Sequence, residues 1–378
     1  MNVSPVIDCD FPGGNIIVEK IEGDTACIRQ DLRDTEGDWF YWCFRVRGAA
    51  GGEMLFQFTG SKVIGVRGPA VSTDGGTTWA WLGCDAVENN GFTYAFADEA
   101  EEVRFCVAMP YLEANLRRFL DRHRDNPHLD AGVLCRSRKG REVELLRLGR
   151  IDGDCKTRAL LTCRHHCCEM MADWALEGIM ETILGAGDDG RWFRENVEFM
   201  VAPFVDKDGV EDGDQGKNRL PRDHNRDYEG PNIYPETGAL RELVPEWSAG
   251  RLRFALDMHC PGLRGEGHED IQFVGTANEE NWSRVERFSE ILEAVRAGPL
   301  IFSSENNLPF GRGWNTSENF SKGKSFARWA EGFTGTGCAT AIEIPYASAG
   351  GSVVTTETAR ALGQDLAGVI RRFLQQEC

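Results

Sequence analysis

Over the first 109 residues, apolar side chains recur at every second position in short runs. Phe40, Trp42, Phe44 and Val46 alternate with polar neighbours, as do Met54, Phe56 and Phe58, then Trp79 and Trp81, then Phe92, Tyr94 and Phe96, and finally Val103, Phe105, Val107 and Met109. A period of two puts one face of each strand on a core, and the Gly, Asp and Asn clusters between the runs supply turns. The pattern predicts an all-β sandwich over residues 1–109. At Pro110 the period changes. Leu112, Leu116, Phe119, Leu120 and His123 fall at helical spacing and predict a helix over 111–124. Further helices are predicted over 278–297, from Trp282, Val285, Phe288, Leu292 and Val295, and over 357–376, from Ala359, Leu362, Leu366, Ile370 and Phe373, the last capped by Thr356. The apolar runs 158–163 and 252–258 read as buried strands, and Met171, Trp174, Ile179 and Ile183 as one stripe of a helix following the first of them. Strands alternating with helices predict an α/β domain with a mostly parallel or mixed sheet over residues 110–378. No flexible linker or repeat separates the two regions, so they are expected to pack together.

Composition narrows the setting. With 41% hydrophobic and 27% charged residues, the chain of 378 residues has the make-up of a globular protein able to bury a sizeable core. A net charge of −18 argues against nucleic acid or an anionic membrane as the main partner, and a polyanionic substrate would need a locally positive cleft. No N-terminal segment combines a basic start with a long apolar core, and no apolar run reaches the ~18 residues that span a bilayer. A soluble, cytoplasmic protein is expected. The thirteen cysteines cannot all pair within one chain. Cys43, Cys106, Cys163 and Cys338 lie in apolar, strand-like surroundings, where reduced cysteines act as small hydrophobes, again as in the cytoplasm. Nothing in the sequence sets the oligomeric state.

The chemistry concentrates in Arg164-His165-His166-Cys167-Cys168-Glu169, between a predicted strand and a predicted helix. His166 and Glu169 stand three positions apart, where an imidazole and a carboxylate can both point at one ion above the sheet edge. Zinc accepts such a pair at roughly 2.0–2.2 Å and needs at least one more protein ligand. Of the seven histidines, His259 fits: it follows the strand-like run 252–258 and precedes the turn Cys260-Pro261-Gly262. His165 reads as a neighbour of the ligands. Cys167 and Cys168 read as lining the turn, because no second CxxC pair completes a thiolate cage. A bare HxxE arises often by chance, so its meaning depends on what accompanies it.

What accompanies it resembles the M14 zinc carboxypeptidases, in particular the branch of cytosolic carboxypeptidases and their bacterial relatives. The family's order of elements is met by His166 and Glu169, then Arg219 in Gly216-Lys217-Asn218-Arg219, then Asn225 and Arg226 in Asp223-His224-Asn225-Arg226-Asp227-Tyr228, then His259, then Glu343 in Thr340-Ala341-Ile342-Glu343-Ile344. Asp206-Lys207-Asp208-Gly209-Val210 also resembles the family's turn, and the likeness covers roughly residues 110–378. The resemblance implies a mixed-sheet catalytic domain with helices on both faces, and zinc held by His166, Glu169 and His259 with a position left for water. It implies Glu343 as general acid–base and Arg219 as the cation on the developing oxyanion, with Arg222 as its rival. Arg219, Asn225 and Arg226 would bind substrate, the last two through its terminal carboxylate. Without the resemblance, this Arg/Asp/Asn-rich stretch reads as a solvated, salt-bridged loop, and Glu343 as a sheet-edge acid.

Two departures bear on specificity. No tyrosine occurs between Tyr234 and Tyr346, so the phenol that closes over substrate in many members has no counterpart there, and Phe320 or Lys322 takes its region. Cys168 stands where some members carry a substrate-contacting arginine. In this family the residue fifteen positions before the catalytic glutamate sets the floor of the specificity pocket, which points to Arg328, with Lys322 or Lys324 if the register shifts. An arginine there implies a preference for an acidic C-terminal side chain. The expected function is a zinc metallocarboxypeptidase acting on peptide or protein C-termini. The alternatives are a zinc amidase for N-acyl amino acids and a degenerate peptide-binding protein.

Overall fold

The computed structural model describes residues 5–377. Its N-terminal part consists of two five-stranded sheets. One is ordered Val6–Asp8, Cys43–Arg47, Glu102–Cys106, Ala70–Ser72, Ala80–Trp81, and the other Ile17–Glu22, Thr25–Arg29, Glu53–Phe58, Gly91–Ala95, Val87–Glu88. The alternating aromatic residues meet between them. Phe44 and Phe105 of the first sheet lie 5.3 and 5.2 Å from Phe56 of the second, ring centre to ring centre, and Phe92 is 5.2 Å from Phe105. Each such ring buries ~150–250 Å² and prefers tilted or edge contacts over a face-to-face sandwich. The strand Ile17–Glu22 was not foreshadowed, because its side chains are half-buried or exposed and carry no apolar alternation.

Residues 129–343 build a seven-stranded mixed sheet in the order Leu129–Arg136, Glu142–Gly149, Val197–Ala202, Thr157–Cys163, Leu252–His259, Cys338–Glu343, Gln272–Val274. The four strands from Val197–Ala202 to Cys338–Glu343 run parallel, and the remaining pairings are antiparallel. Along the buried strands, alternate residues serve two cores. Ala159, Leu161, Phe254 and Leu256 face a core shared with the helices Met170–Leu184, Glu279–Val295 and Thr356–Glu377, while Leu160 and Ala255 face one completed by Leu240, Val244 and Phe326 from Pro235–Ser248 and Phe326–Ala330. Helices therefore cover both faces, and the central strands read as continuous apolar runs for that reason.

The helix Met170–Leu184 buries far more than one stripe: only Glu181 and Thr182 escape burial. It crosses Thr356–Glu377 so closely that a Cβ on Gly178 would lie 2.1 Å from the Arg360 carbonyl oxygen, and one on Gly363 would lie 1.9 Å from that of Ala175. The cap of the last helix falls one residue before Thr356. Thr355 Oγ1 accepts from the Thr358 N–H at 3.2 Å while Thr358 Oγ1 accepts from the Thr355 N–H at 2.7 Å, and Thr356 instead hydrogen-bonds Glu357. Among the described residues, no helix is long and apolar enough to cross a membrane.

The N-terminal sheets pack against the larger sheet through long-range polar contacts. Arg264 Nε donates to the Ile64 carbonyl at 2.6 Å, Arg67 Nε to that of Ala347 at 3.0 Å, and Trp81 Nε1 to that of Val354 at 2.7 Å. The segment 31–41 clamps residues 213–220. Asp34 accepts from the N–H groups of Gln215 and Gly216 at 3.0 and 2.9 Å, the Gln215 side chain bonds both backbone groups of Tyr41, and Thr35 Oγ1 donates to the Lys217 carbonyl.

Because the two helix backbones nearly touch at Gly178 and Gly363, the substitution Gly363→Ala is expected to force them apart. Overpacking of this kind costs about 1–3 kcal/mol. Urea denaturation should show that loss, and a midpoint equal to wild type would mean the crossing yields without strain.

Candidate metal centre

The parallel strands deliver the candidate residues to one edge. His259 ends its strand directly opposite Glu343 at the end of the next, and Cys163 ends the neighbouring strand opposite Met258. Open α/β sheets bind ligands at the carboxyl ends of their strands. Past Cys163 the chain turns through Arg164, whose φ of 61° is left-handed. Its fully buried guanidinium holds the turn in shape, donating to Cys167 O at 2.7 Å, Tyr111 O at 2.9 Å and Asp173 at 2.5 Å. The turn then presents His166 and Glu169.

Glu169 has no exposed surface, and both its oxygens are engaged: Oε1 lies 3.0 Å from His166 Nδ1 and Oε2 2.6 Å from His259 Nδ1. One donor atom from each of the three residues falls within 4.8 Å of the others. The far nitrogens are anchored on carboxylates, His166 Nε2 on Asp223 at 2.9 Å and His259 Nε2 on Asp257 at 2.7 Å. Two imidazoles turned by outer carboxylates toward a shared carboxylate are a donor set that fits a divalent metal. A second grouping, His165, Asp257 and His259, shares His259. It lies deeper: His165 is fully buried and commits Nδ1 to Asp257 and Nε2 to the Tyr228 hydroxyl, each at 2.7 Å. Its arrangement suits holding Asp257 against His259.

Glu343 is 7% exposed, and its Oε2 has no hydrogen-bond partner although buried. Burial and then the neighbouring Glu169 charge raise its pKa. It lines two adjoining cavities, an inner one of about 60 Å³ and an outer one of about 360 Å³, and both also include His166 and Arg226. Trp314 walls both, while Trp39 from the N-terminal part walls the outer one.

The remaining expected residues divide. Arg226 lines both cavities, donating to Asn225 O at 2.7 Å and Asn319 Oδ1 at 3.2 Å. Arg328 lines the inner cavity, and its guanidinium makes no hydrogen bond or ion pair among the described residues. Both stack on Phe320, each 5.0 Å from the ring centre, so the place without a tyrosine holds a phenyl platform for two cations. Asn225 differs from expectation. Its amide donates to Asp257 at 3.2 Å and contacts His259 Nε2 at 3.1 Å, and its oxygen accepts from Phe326 N at 2.8 Å, so it braces the frame rather than presenting donors to a substrate. Cys168 is buried beside Tyr346 and reaches neither cavity.

Arg219 is the clearest correction. Its guanidinium is tied to Asp206 at 2.6 Å and Asp214 at 3.1 Å, with Asp34 at 3.6 Å, and lines a separate cavity. Its rival Arg222 pairs with Asp227 at 2.6 Å. The cation that reaches the site is Lys217, with Nζ 2.6 Å from Glu169 Oε1. Burial disfavours its charge, but Glu169 and Glu343 more than compensate and raise its pKa. Asn218, at φ 48°, turns the backbone between the two side chains. A residue count cannot show that turn, although the glycine before Lys217 hinted at close packing.

A metallo-carboxypeptidase from Burkholderia cenocepacia has a similar structure, with a TM-score of 0.80 at 20% identity over 100% of both chains. So does a metallo-carboxypeptidase from Pseudomonas aeruginosa in complex with (2-guanidinoethylmercapto)succinic acid, with a TM-score of 0.77 at 21% identity over 99% of this chain and 100% of that one. In sequence, mouse cytosolic carboxypeptidase 3 is 29% identical over 161 residues, 41% of this chain. The chain is similar in sequence to the cytosolic carboxypeptidases over part of its length and has the fold of the bacterial metallo-carboxypeptidases. It spans only 15% of the length of the mouse protein and 17% of the bovine one. No family model matches it.

In the metal-free form of this chain, burial opposes protonation of His166, but Asp223 and Glu169 outweigh it and lift its pKa to about 9. His259 is raised likewise by Asp257 and Glu169 against burial. A metal must displace these protons, so affinity for a divalent cation should climb as pH rises from about 6 toward 9, by about tenfold per pH unit for each proton released. Chelator competition across that range would measure it, and a flat profile would contradict the ligand set.

Proposed function

We propose that the chain is a zinc-dependent metallocarboxypeptidase that removes the C-terminal residue of peptides or proteins and prefers an acidic one. The observation that carries this reading is Glu343: a buried carboxylate with a free oxygen, in register with His259 and lining the same cavities as His166. Zinc bound by His166, Glu169 and His259 would polarise the scissile carbonyl and bring the pKa of a water toward neutrality. Glu343 takes the proton of the attacking water and passes it to the departing amine. Its raised pKa suits both halves of that transfer, since a carboxylate that is too weak a base would not accept the proton.

Arg226 is the cation for the substrate's terminal carboxylate, its guanidinium positioned by a bond to the Asn225 carbonyl, and Arg328 is the partner for an acidic side chain, its guanidinium being free to pair. Lys217, Arg226 and Arg328 together make a positive well in a chain of net charge −18, so an acidic C-terminus is attracted only at the cleft. The 360 Å³ outer cavity, walled by Trp39 and Trp314, offers room for the chain upstream of the scissile bond, which favours peptides over small N-acyl amino acids. A binding protein without activity would be expected to lack a ligand or the base, and the presence of candidates for each supports the enzyme reading. We further propose a division near residue 110 into a β-sandwich and a catalytic domain, cytoplasmic residence, and peptide or protein C-termini as partners rather than nucleic acid or membrane.

Glu343→Gln keeps the shape and removes the base. Zinc content should stay at wild-type level while kcat falls by about 10²–10⁴. If most of the turnover survives, the base lies elsewhere. For selectivity, peptides ending in Glu, Phe and Lys should be compared on wild type and Arg328→Ala. The Glu peptide should be the best wild-type substrate and lose about tenfold to a hundredfold in kcat/KM on truncation, the worth of a hydrogen bond to a charged group. Equal or better cleavage of the Phe or Lys peptide by wild type would defeat the acidic preference and leave the carboxypeptidase reading intact.

A further inference from the structure

With Arg219 and Arg222 committed elsewhere, Lys217 is the cation in direct contact with a candidate metal-ligand carboxylate. Lys217 Nζ sits 2.6 Å from Glu169 and donates to the Cys260 carbonyl at 2.8 Å. Its ammonium has three N–H donors, and the third reaches the Pro261 carbonyl only at 3.5 Å, a long contact that a closer anionic acceptor can replace. The side chain is 11% exposed and lines the outer cavity together with His166 and Glu343. The face of Trp39 lies 5.6 Å from Nζ on one side.

The backbone explains why position 217 carries this cation. Gly216 passes directly beneath the ligand turn: a Cβ there would lie 2.4 Å from Cys167 N and 3.0 Å from His166 Cα, and its φ is +77°. Position 216 has no room for a side chain, and Lys217 is the next residue along. Its carbonyl is held by Thr35 Oγ1, the N–H groups of the two preceding residues by Asp34, and the N–H of Leu220 by the Asp34 carbonyl at 3.0 Å. All these clamps come from the N-terminal β-sheet region.

We propose that Lys217 is the cation that stabilises the oxyanion of the hydrolytic transition state, and that the segment 31–41 of the N-terminal region sets its position. The inference rests on the carboxypeptidase reading. As the water oxygen bonds to the scissile carbon, the carbonyl π electrons move onto its oxygen and the water proton moves to Glu343. The Lys217 ammonium donates a hydrogen bond to the new oxyanion without giving up its proton. When the carbonyl reforms, the C–N bond breaks and Glu343 returns the proton to the leaving amine. A fixed donor of this kind is typically worth about 10²–10³ in kcat.

The test uses the full-length, zinc-loaded chain with Lys217→Met, which keeps the length and removes the charge, and Lys217→Arg, which restores a cation. Four quantities are read: kcat, KM, zinc affinity, and affinity for a phosphinate peptide analogue carrying a tetrahedral anion. The Met variant should lose about 10²–10³ in kcat and a comparable factor in phosphinate affinity, with KM changed little, and Arg should recover part of both. Zinc should bind the Met variant as tightly as wild type or more so, because a competing cation has left Glu169. A Lys217 that merely supports Glu169 would give the opposite sign: weaker zinc, with phosphinate affinity per loaded site unchanged. That result, or a Met variant within threefold of wild-type kcat, overturns the proposal while active wild type preserves the carboxypeptidase reading. A wild type that cleaves no peptide overturns both.

Discussion

A carboxylate with no exposed surface lies at the centre of this molecule, and the groups that balance Glu169 come from three separate parts of the chain. Leaving such a charge buried and unpaired would cost several kcal/mol. His166 from the same turn, His259 from the next parallel strand and Lys217 from a distant loop each contact it within 3.0 Å. That convergence dictates much of the rest. Strands must run parallel and end level, Arg164 must brace the turn from within the core, and Asp223 and Asp257 must rotate the imidazoles inward. The candidate metal site is thus also a solution to an electrostatic problem.

The parts of this arrangement that were legible in the sequence are those that follow from periodicity. Apolar runs locate the central strands, and residues just past a buried strand, such as His166 and His259, stand at a sheet edge whatever the details of packing. Glu343 needed the family resemblance, because one acid on a strand has no signature of its own. Arg219 turns away from the site for a local reason: two left-handed residues, Gly216 and Asn218, flank Lys217, and chain direction over such a stretch does not follow from residue spacing. The bonds of Asn225 to the frame were not legible because its partners Asp257 and Phe326 are 32 and 101 residues away. Outward-facing strands such as Ile17–Glu22 left no apolar trace.

Charge is distributed with the same economy. In a chain of net charge −18, Lys217, Arg226 and Arg328 gather at the cleft, and two of the three share the Phe320 ring. Guanidinium groups stack on aromatic faces at little desolvation cost, which lets two like charges sit close without a carboxylate between them. Most other arginines in the region are already paired, Arg141, Arg164, Arg219 and Arg222 among them. Arg226 and Arg328, by contrast, face the cavity with no carboxylate in ion-pair contact.

The clamp between segments 31–41 and 213–220 joins residues about 180 positions apart, as between Asp34 and Gln215. During synthesis the N-terminal sheets leave the ribosome first and can fold before the larger sheet has emerged. They are then a ready-made template on which the 213–220 loop docks, and contacts so distant in sequence form slowly and late. The ligand turn and the cation that meets it would consequently come together only in a chain whose two regions have closed on each other. In a chain built this way, a completed site is itself the sign that both regions have folded.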